Sequence, residues 1–348
     1  MKVAVLVSGG VDSSVALALL KEQGHDVTAF YLKIWLEDEM SFLGDCPWNE
    51  DLEYVQAVCK QLDVPLEIVS LQHEYHTRVV AYAINEVKQG RTPNPDIFCN
   101  SMVKFGAFYE EVGYQFEAIA TGHYADTSMI EGTVFLHLTP DAIKDQTYFL
   151  ARLTQQQLKK CLFPIGKFTK SHVRELAHRF DLPTKERKDS QGLCFLGKIK
   201  YRDFIKEHVG TQPGPLVVYE TGEKKGEHEG FWFYTIGQRQ GIRLSHGPWY
   251  VVAKDIPTNT VYISNQYYTS EKDRTLFTVS DIMGTIVQGQ SYDIKLRHGE
   301  HLHRGVIISH AGKTATIKLE MSDQGIAAGQ CAVFYINSRV VGSGIIYS

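Results

Sequence analysis

Three stretches of the sequence combine residue types that could do chemistry. The first is Ser8-Gly9-Gly10-Val11-Asp12-Ser13-Ser14. Two glycines let a backbone turn sharply and approach a ligand closely. The N–H groups that follow open a helix, whose N-terminus favours anions, and Ser8, Ser13 and Ser14 add hydroxyl donors. That pattern suits a phosphate or pyrophosphate cradle. It is not G-x-x-x-x-G-K-[ST], because no lysine follows the glycines, and it is not G-x-G-x-x-G. The second stretch is Asn94-Pro95-Asp96-Ile97-Phe98-Cys99-Asn100, after Gly90-Arg91-Thr92-Pro93; the third is Lys188-Asp189-Ser190-Gln191-Gly192-Leu193-Cys194-Phe195. A cysteine in a polar or glycine-containing loop can be partly exposed, and a nearby cation or helix N-terminus favours its thiolate. Cys99 precedes a predicted helix, and Lys188 lies near Cys194. Taken singly, each cysteine reads more readily as a small buried hydrophobe than as a reactive thiol, which is also the reading for Cys59, Cys161 and Cys331. Cys46 falls in an acidic stretch and receives no role. Asp96 suits a general acid/base or a turn-forming Asx residue after Pro95.

The elements that position these stretches follow from periodicity. Residues 2–7 read as a buried strand and 13–23 as a helix ending near Gly24. His25 to Trp35 predicts a second strand, 36–49 a long loop, and Leu52 to Leu62 a helix. Leu66 to Val69 predicts a third strand, and His73 to Gln89 a helix. Gly90 to Pro95 is excluded from helix and central strand by its prolines. A helix is expected to resume after Asn100, followed by a strand over Glu117 to Ala120. This βα rhythm predicts a doubly wound parallel sheet with helices on both faces, whose ligands bind at the carboxyl ends of the strands. The helical reading runs on to about Phe204, with Thr169 capping one helix. Beyond Pro213, short alternating runs such as Trp249-Tyr250-Val251-Val252 predict small β domains. The expected division is 1–205, 206–272 and 273–348.

The chain has 348 residues, 43% hydrophobic and 22% charged, an ordinary globular balance. No apolar run is long enough for a membrane span. Six cysteines, none paired as C-x-x-C, exclude a disulfide scaffold and a zinc ribbon. The strand-like start leaves no room for a targeting peptide, so the expected compartment is the cytoplasm. The net charge of −4 hides an asymmetry: residues 1–131 hold 8 Lys/Arg against 20 Asp/Glu, and residues 132–200 hold 13 against 6. The basic segment could face a polyanion or simply be solvated. His298, His301 and His303 cluster in sequence, and an ordinary polar sheet face is favoured there over a metal site.

The glycine turn resembles the PP-loop of the ATP pyrophosphatase superfamily. The remaining motifs narrow the resemblance. Arg91 to Asn100, Ala120 to Tyr124 (A-T-G-H-Y), Lys144 to Leu150 (K-D-Q-T-Y-F-L), Lys188 to Phe195, Thr235 to Arg239 and Gly329 to Tyr335 stand in the order found in the tRNA-specific 2-thiouridylases of the bacterial MnmA type. The resemblance spans the whole chain and implies an adenine nucleotide alpha hydrolase-like domain followed by two β domains, the last a β-barrel.

That family replaces the 2-oxygen of the wobble uridine of tRNA by sulfur. The resemblance implies ATP, as its Mg²⁺ complex, bound by Leu6, Val7, Ser8, Gly9, Gly10, Val11, Asp12, Ser13, Leu32 and Gly122. It implies Cys194 as persulfide carrier, Cys99 as partner nucleophile with a transient Cys99–Cys194 disulfide, and Asp96 as acid/base. Asn94, Pro95 and Asp96 would meet the target base. His123, Lys144, Asp145, Gln146, Arg297, His298 and Gln330 would touch tRNA. Arg297-His298 departs from an Arg-aromatic pair in relatives. The implied partners are tRNAs for Lys, Glu and Gln and a persulfide donor, with no membrane, no metal site in the protein and a monomeric enzyme. Other PP-loop ligases fit less well, since they need an ammonia source and give no reason for two loop cysteines.

Overall fold

The structure is a computed structural model that describes residues 1–34, 48–188, 201–266, 274–323 and 325–347. Cys46, Cys194 and the Asp189 to Phe195 part of the third stretch lie outside the described residues. In chain order the first seven strands are β1 (Lys2–Leu6), β2 (Asp26–Lys33), β3 (Leu66–Ser70), β4 (Ala118–Thr121), β5 (Asp126–Ile130), β6 (Thr133–His137) and β7 (Cys161–Leu162). Five of them form a parallel sheet in the order β3-β2-β1-β4-β7. The order reverses direction at β1, which puts the glycine turn at the switch point where open α/β sheets bind ligands.

Alternate residues of β1 serve two cores. Val3 and Val5 pack with α1 (Val11–Glu22) and α2 (Trp48–Leu62). Ala4 and Leu6 pack on the other face with Tyr75, Val79, Phe98 and Phe108. Both faces are covered, so the strand is apolar throughout, as a parallel sheet requires. The second face is built by α3, made of the contiguous segments Gln72–Tyr75, His76–Val80 and Ala81–Lys88, and by α4, made of Pro95–Phe98, Cys99–Ala107 and Phe108–Glu111. The middle segment of each is wound as a π-helix, a form that tends to mark functional sites. The short helices α5 (Thr147–Leu150) and α6 (Gln155–Leu158) precede α7 (Lys170–Arg179) and α8 (Tyr201–Val209). Thr169 caps α7 as expected, its hydroxyl accepting from the His172 N–H.

Two expectations are corrected here. Residues 126–137 are not helical: β5 and β6 form an antiparallel hairpin. Its turn is Glu131-Gly132, with φ of +49° and +78°, the left-handed pair of a tight hairpin turn. The second correction concerns α4, which begins at Pro95 rather than after Asn100. Proline is acceptable at the first helical position because that N–H has no helical partner in any case. Asn94 is the cap, its side chain accepting from the Ile97 N–H at 3.4 Å.

The central β unit holds β8 (Gly214–Val218), β9 (Lys224–His228), β10 (Tyr250–Asp255) and β11 (Thr260–Ser264), in the order β10-β11-β8-β9. The last unit holds β12 (Leu276–Gly284), β13 (Ser291–Lys295), β14 (His303–Ala311), β15 (Thr314–Leu319), β16 (Cys331–Ile336) and β17 (Arg339–Ile346). Their order β12-β15-β14-β13-β16-β17 closes through a β12–β17 pairing into a six-stranded barrel around Phe277, Ile294, Ile307 and Phe334. The β5–β6 hairpin joins this barrel where His137 pairs with Arg339, so the first domain extends the barrel's sheet.

Candidate functional site

The first half of the site is the turn between β1 and α1. Gly9 sits at φ +74°, a conformation that L side chains rarely adopt. A Cβ there would lie 2.6 Å from the Asp51 carbonyl oxygen. Gly10 is the extended cap of α1, and its carbonyl accepts from the Ser14 hydroxyl at 2.8 Å and the Ser13 hydroxyl at 3.2 Å. The Ser8 N–H donates to Ser13 Oγ at 3.2 Å. The first-turn N–H groups of α1 have no helical acceptor by geometry and open toward the strand ends. Gly122, just after β4, closes the other wall; a Cβ on it would lie 2.6 Å from the Ser13 nitrogen. Both positions are held by close packing that only glycine fits, Gly9 against Asp51 and Gly122 against the first turn of α1. Leu6, Val7 and Val11 are buried core residues that carry the loop, and Leu32 packs half-buried at the end of β2.

Sequence reasoning named Asp12 but missed the side chains that hold it and the loop. Asp12 Oδ1 accepts from the Tyr124 hydroxyl at 2.9 Å and from Lys170 Nζ at 2.7 Å. Arg187 Nη1 donates to the Gly9 carbonyl at 2.7 Å, its other nitrogen pairs with Asp51, and its guanidinium lies 4.5 Å from the Tyr54 ring centre. Tyr124 ends a quoted motif and Arg187 precedes another, so proximity to motifs was the available signal. Lys170 and Asp51 carried none.

The second half is the turn Arg91 to Asn94 and the helix behind it. Arg91 forms a paired ion bridge with Glu86. Cys99 lies in a helix rather than the expected loop, and its burial agrees with the small-hydrophobe reading. It sits inside α4, 1% exposed, packed in the second-face core. The cause is the early helix start, which turns the fifth helical residue inward. Asp96, in the first turn, is half-buried. Asn100 Nδ2 donates to the Phe149 carbonyl at 3.2 Å, and the Phe149 ring stacks on His298 at 4.7 Å and 23°. Burial, and behind it the Lys295 charge, depress the pKa of His298, against the pull of Asp145 and Asp96. His298 therefore faces the Asp96 region mainly neutral near pH 7.

Beside it lies a cleft of about 440 Å³ lined by Ile143, Arg297, His298, Glu300, His301 and His303, among others. Arg297 makes two bonds to Asp323, 2.8 and 2.9 Å, and His303 Nε2 lies 2.9 Å from the same carboxylate. Against the cost of its own burial, these partners hold Asp323 well below the usual carboxylate range. Among the described residues no group of three or more His, Cys, Asp or Glu side chains is arranged to hold a metal ion.

The residues expected to touch RNA divide. Arg297 is exposed and lines the cleft, whereas Lys144 is half-buried beside Ile143, which lines it. His123, beyond the end of β4, bonds Thr121 Oγ1 at 2.8 Å, and burial followed by the Lys104 charge lowers its pKa well below the usual imidazole range. Gln146 is used internally: its side-chain oxygen accepts from the Tyr124 N–H at 2.9 Å. Asp145 is corrected outright as an RNA-facing side chain. It is 1% exposed, and its carboxylate accepts from Lys295 Nζ, the Thr147 hydroxyl and the Thr139 N–H at 2.9, 2.6 and 3.0 Å. Lys295 belongs to barrel strand β13 and is 2% exposed, so this buried pair fastens the barrel to the first domain. Gln330 Nε2 donates to the Thr92 and Pro93 carbonyls at 2.8 and 3.3 Å.

A parallel α/β domain with a glycine-turned loop at its switch point, backed by two β units, has the architecture of a nucleotide-binding HUP-domain enzyme. Three family models match in chain order: a tRNA methyl transferase HUP domain over residues 1–198, a tRNA methyl transferase PRC-barrel domain over 202–265, and an aminomethyltransferase beta-barrel domain over 275–346. Curated relatives match end to end. A tRNA-specific 2-thiouridylase MnmA from Parabacteroides distasonis is 45% identical over 99% of both chains. One from Bacteroides thetaiotaomicron is 43% identical with the same coverage, and one from Bacteroides fragilis is 44% identical over 99% of this chain and all of its own. The chain belongs to the MnmA family of tRNA-specific 2-thiouridylases, a family of sulfurtransferases. A solved 4-thiouridine synthetase–RNA complex with bound ATP aligns only loosely, at 19% identity and a TM-score of 0.36 over 57% of this chain and 45% of its own.

Proposed function

We propose that this protein thiolates the wobble uridine of tRNA at carbon 2, with ATP as cosubstrate. The observation that carries the reading is the pairing of two features in one domain. A glycine turn at the sheet's switch point, packed against Gly122, stands with the Asn94-capped helix start that carries half-buried Asp96 and buried Cys99. Family membership over the full length supports it.

A uracil carbonyl oxygen is a poor leaving group. In the proposed first step the C2 oxygen attacks the α-phosphorus of ATP, and pyrophosphate departs. Residues Ser8 to Ser13, with Gly122 and Leu32, would hold the nucleotide, their N–H and hydroxyl groups meeting the phosphates. Mg²⁺ would accompany the ATP and neutralise phosphate charge. The base must leave the anticodon stack to reach Asn94, Pro95 and Asp96. Asp96 would exchange a proton with the uracil.

Sulfur would arrive as a persulfide on Cys194, supplied by a protein donor. Its terminal sulfur attacks carbon 2, and AMP leaves with the former C2 oxygen. The Cys99 thiolate attacks Sγ of Cys194; the S–S bond of the persulfide breaks, its terminal sulfur leaves with the electron pair, and a Cys99–Cys194 disulfide remains. The two cysteines are oxidised as the transferred sulfur is reduced, so a thiol reductant must reset the enzyme. Because Cys99 is buried in the free protein, the reading requires that it become accessible in the turnover complex. The acceptors would be tRNAs for Lys, Glu and Gln, bound to a monomer.

The test is a thiolation assay with unmodified tRNA, ATP-Mg²⁺ and a cysteine desulfurase with cysteine, read by nucleoside mass spectrometry. Thiouridine is expected only with ATP, and Cys99→Ser and Cys194→Ser are each expected to abolish it. Full activity in either variant would overturn the cysteine roles. Neither ATP cleavage nor thiolation across cognate tRNAs would overturn the function.

A further inference from the structure

The turn that would meet the target base cannot stabilise itself. Pro93 and Pro95 remove two backbone donors from a four-residue stretch, so Thr92 to Pro95 cannot form a regular ladder. Its carbonyls must find donors elsewhere, and they find them on the barrel. Gln330 Nε2 donates to both Thr92 O and Pro93 O. In return the Thr92 N–H donates to the Ala328 carbonyl at 2.7 Å. The two backbones touch so closely that a Cβ on Gly329, at φ +92°, would lie 2.9 Å from both Thr92 N and Thr92 O.

The barrel side of this clasp is itself tied down. The Gly329 N–H donates to Ile346 O, and Ile346 N–H donates to Gln330 O, each at 2.8 Å. Behind it, the Tyr148 hydroxyl donates to the Cys331 carbonyl at 3.0 Å, and the Asp145–Lys295 pair is buried.

We infer that Gln330 is a positioning residue: through Thr92 and Pro93 it sets the Asn94-Pro95-Asp96 turn in register for the target uridine. The inference rests on the thiolation reading above. It makes the C-terminal barrel a structural part of the reaction site rather than an RNA platform alone.

The two roles separate kinetically. Gln330→Met keeps length and neutrality but removes the donor. Positioning predicts that thiolation at saturating tRNA and ATP falls about tenfold, the scale of a small misplacement at a reacting centre, while the tRNA Kd from fluorescence anisotropy stays within about twofold. Hydrogen exchange of the 91–97 segment should accelerate in the free protein. Gln330→Lys restores a donor on a stem of similar reach and should recover most of the rate. A weakened tRNA Kd with an unchanged rate at saturation would overturn the inference in favour of RNA contact. Equal loss of rate in the Met and Lys variants would also overturn it. If the unmodified enzyme fails to thiolate, the functional reading falls, and the exchange comparison still tests the clasp.

Discussion

Lys295 and Asp145 carry opposite charges at 2% and 1% exposure, one on the barrel and one on the first domain. Removing one member of such a pair strands the other charge in a low-dielectric interior, at a cost of about 3–5 kcal/mol. Asp145→Asn removes the charge and keeps the shape. The new amide oxygen can still accept from the Thr139 N–H, and the Thr147 hydroxyl can rotate to accept from the amide nitrogen, with Tyr335 OH beside it at 3.1 Å. The expected loss therefore comes from the uncompensated Lys295 ammonium. Lys295→Met strands the carboxylate instead, with a comparable loss. The double variant buries no charge and keeps the Thr139 and Thr147 bonds, so it should cost only about 1–2 kcal/mol. Urea unfolding followed by far-UV circular dichroism measures all four corners of the cycle. The cycle should close with a coupling of several kcal/mol. Single variants within about 1 kcal/mol of the parent, or a double variant as unstable as the sum of the singles, would refute the claim that this pair fastens the barrel.

Gly122→Ala places a methyl 2.6 Å from the Ser13 nitrogen; the loop must shift, and the KM for ATP is expected to rise about tenfold with folding retained, as checked by circular dichroism and steady-state kinetics. Asp323 titrates below its unfolded value of 3.8, so it contributes stability at neutral pH that is lost as pH falls through the folded value. Asp323→Asn should accordingly be less stable at neutral pH, with the gap to the parent closing below about pH 4 in unfolding curves taken across pH. Burial pushes the Cys331 thiol up to about 12 and Cys59 up to about 11. Alkylation of the native protein near pH 8 should therefore leave both unmodified in peptide mass spectra; rapid labelling of Cys331 would contradict its burial under the barrel.

Some of this molecule is decided by local chemistry. Val3 to Leu6 are apolar at every position, which only a strand covered on both faces tolerates, and the two glycines after Ser8 force a turn into a helix start wherever the rest of the chain goes. Thr169 caps α7 for the same local reason. Even the Asn94-Pro95 cap was legible in principle, because asparagine followed by proline is a helix-start signal; the run of prolines masked it. Other features depend on residues far apart in the chain. Cys99 reads as a loop cysteine until the helix beginning at Pro95 turns it into the core against β1 and β2. Asp145 sits in a basic, polar motif that reads as surface, and it becomes interior only because Lys295, 150 residues later, arrives to neutralise it. Gln330 faces the Thr92 and Pro93 carbonyls only after six strands have closed into a barrel. Backbone propensity acts over a few residues and is written in composition. Burial, charge pairing and the sharing of one turn between two domains are properties of neighbours, and tertiary structure alone chooses the neighbours.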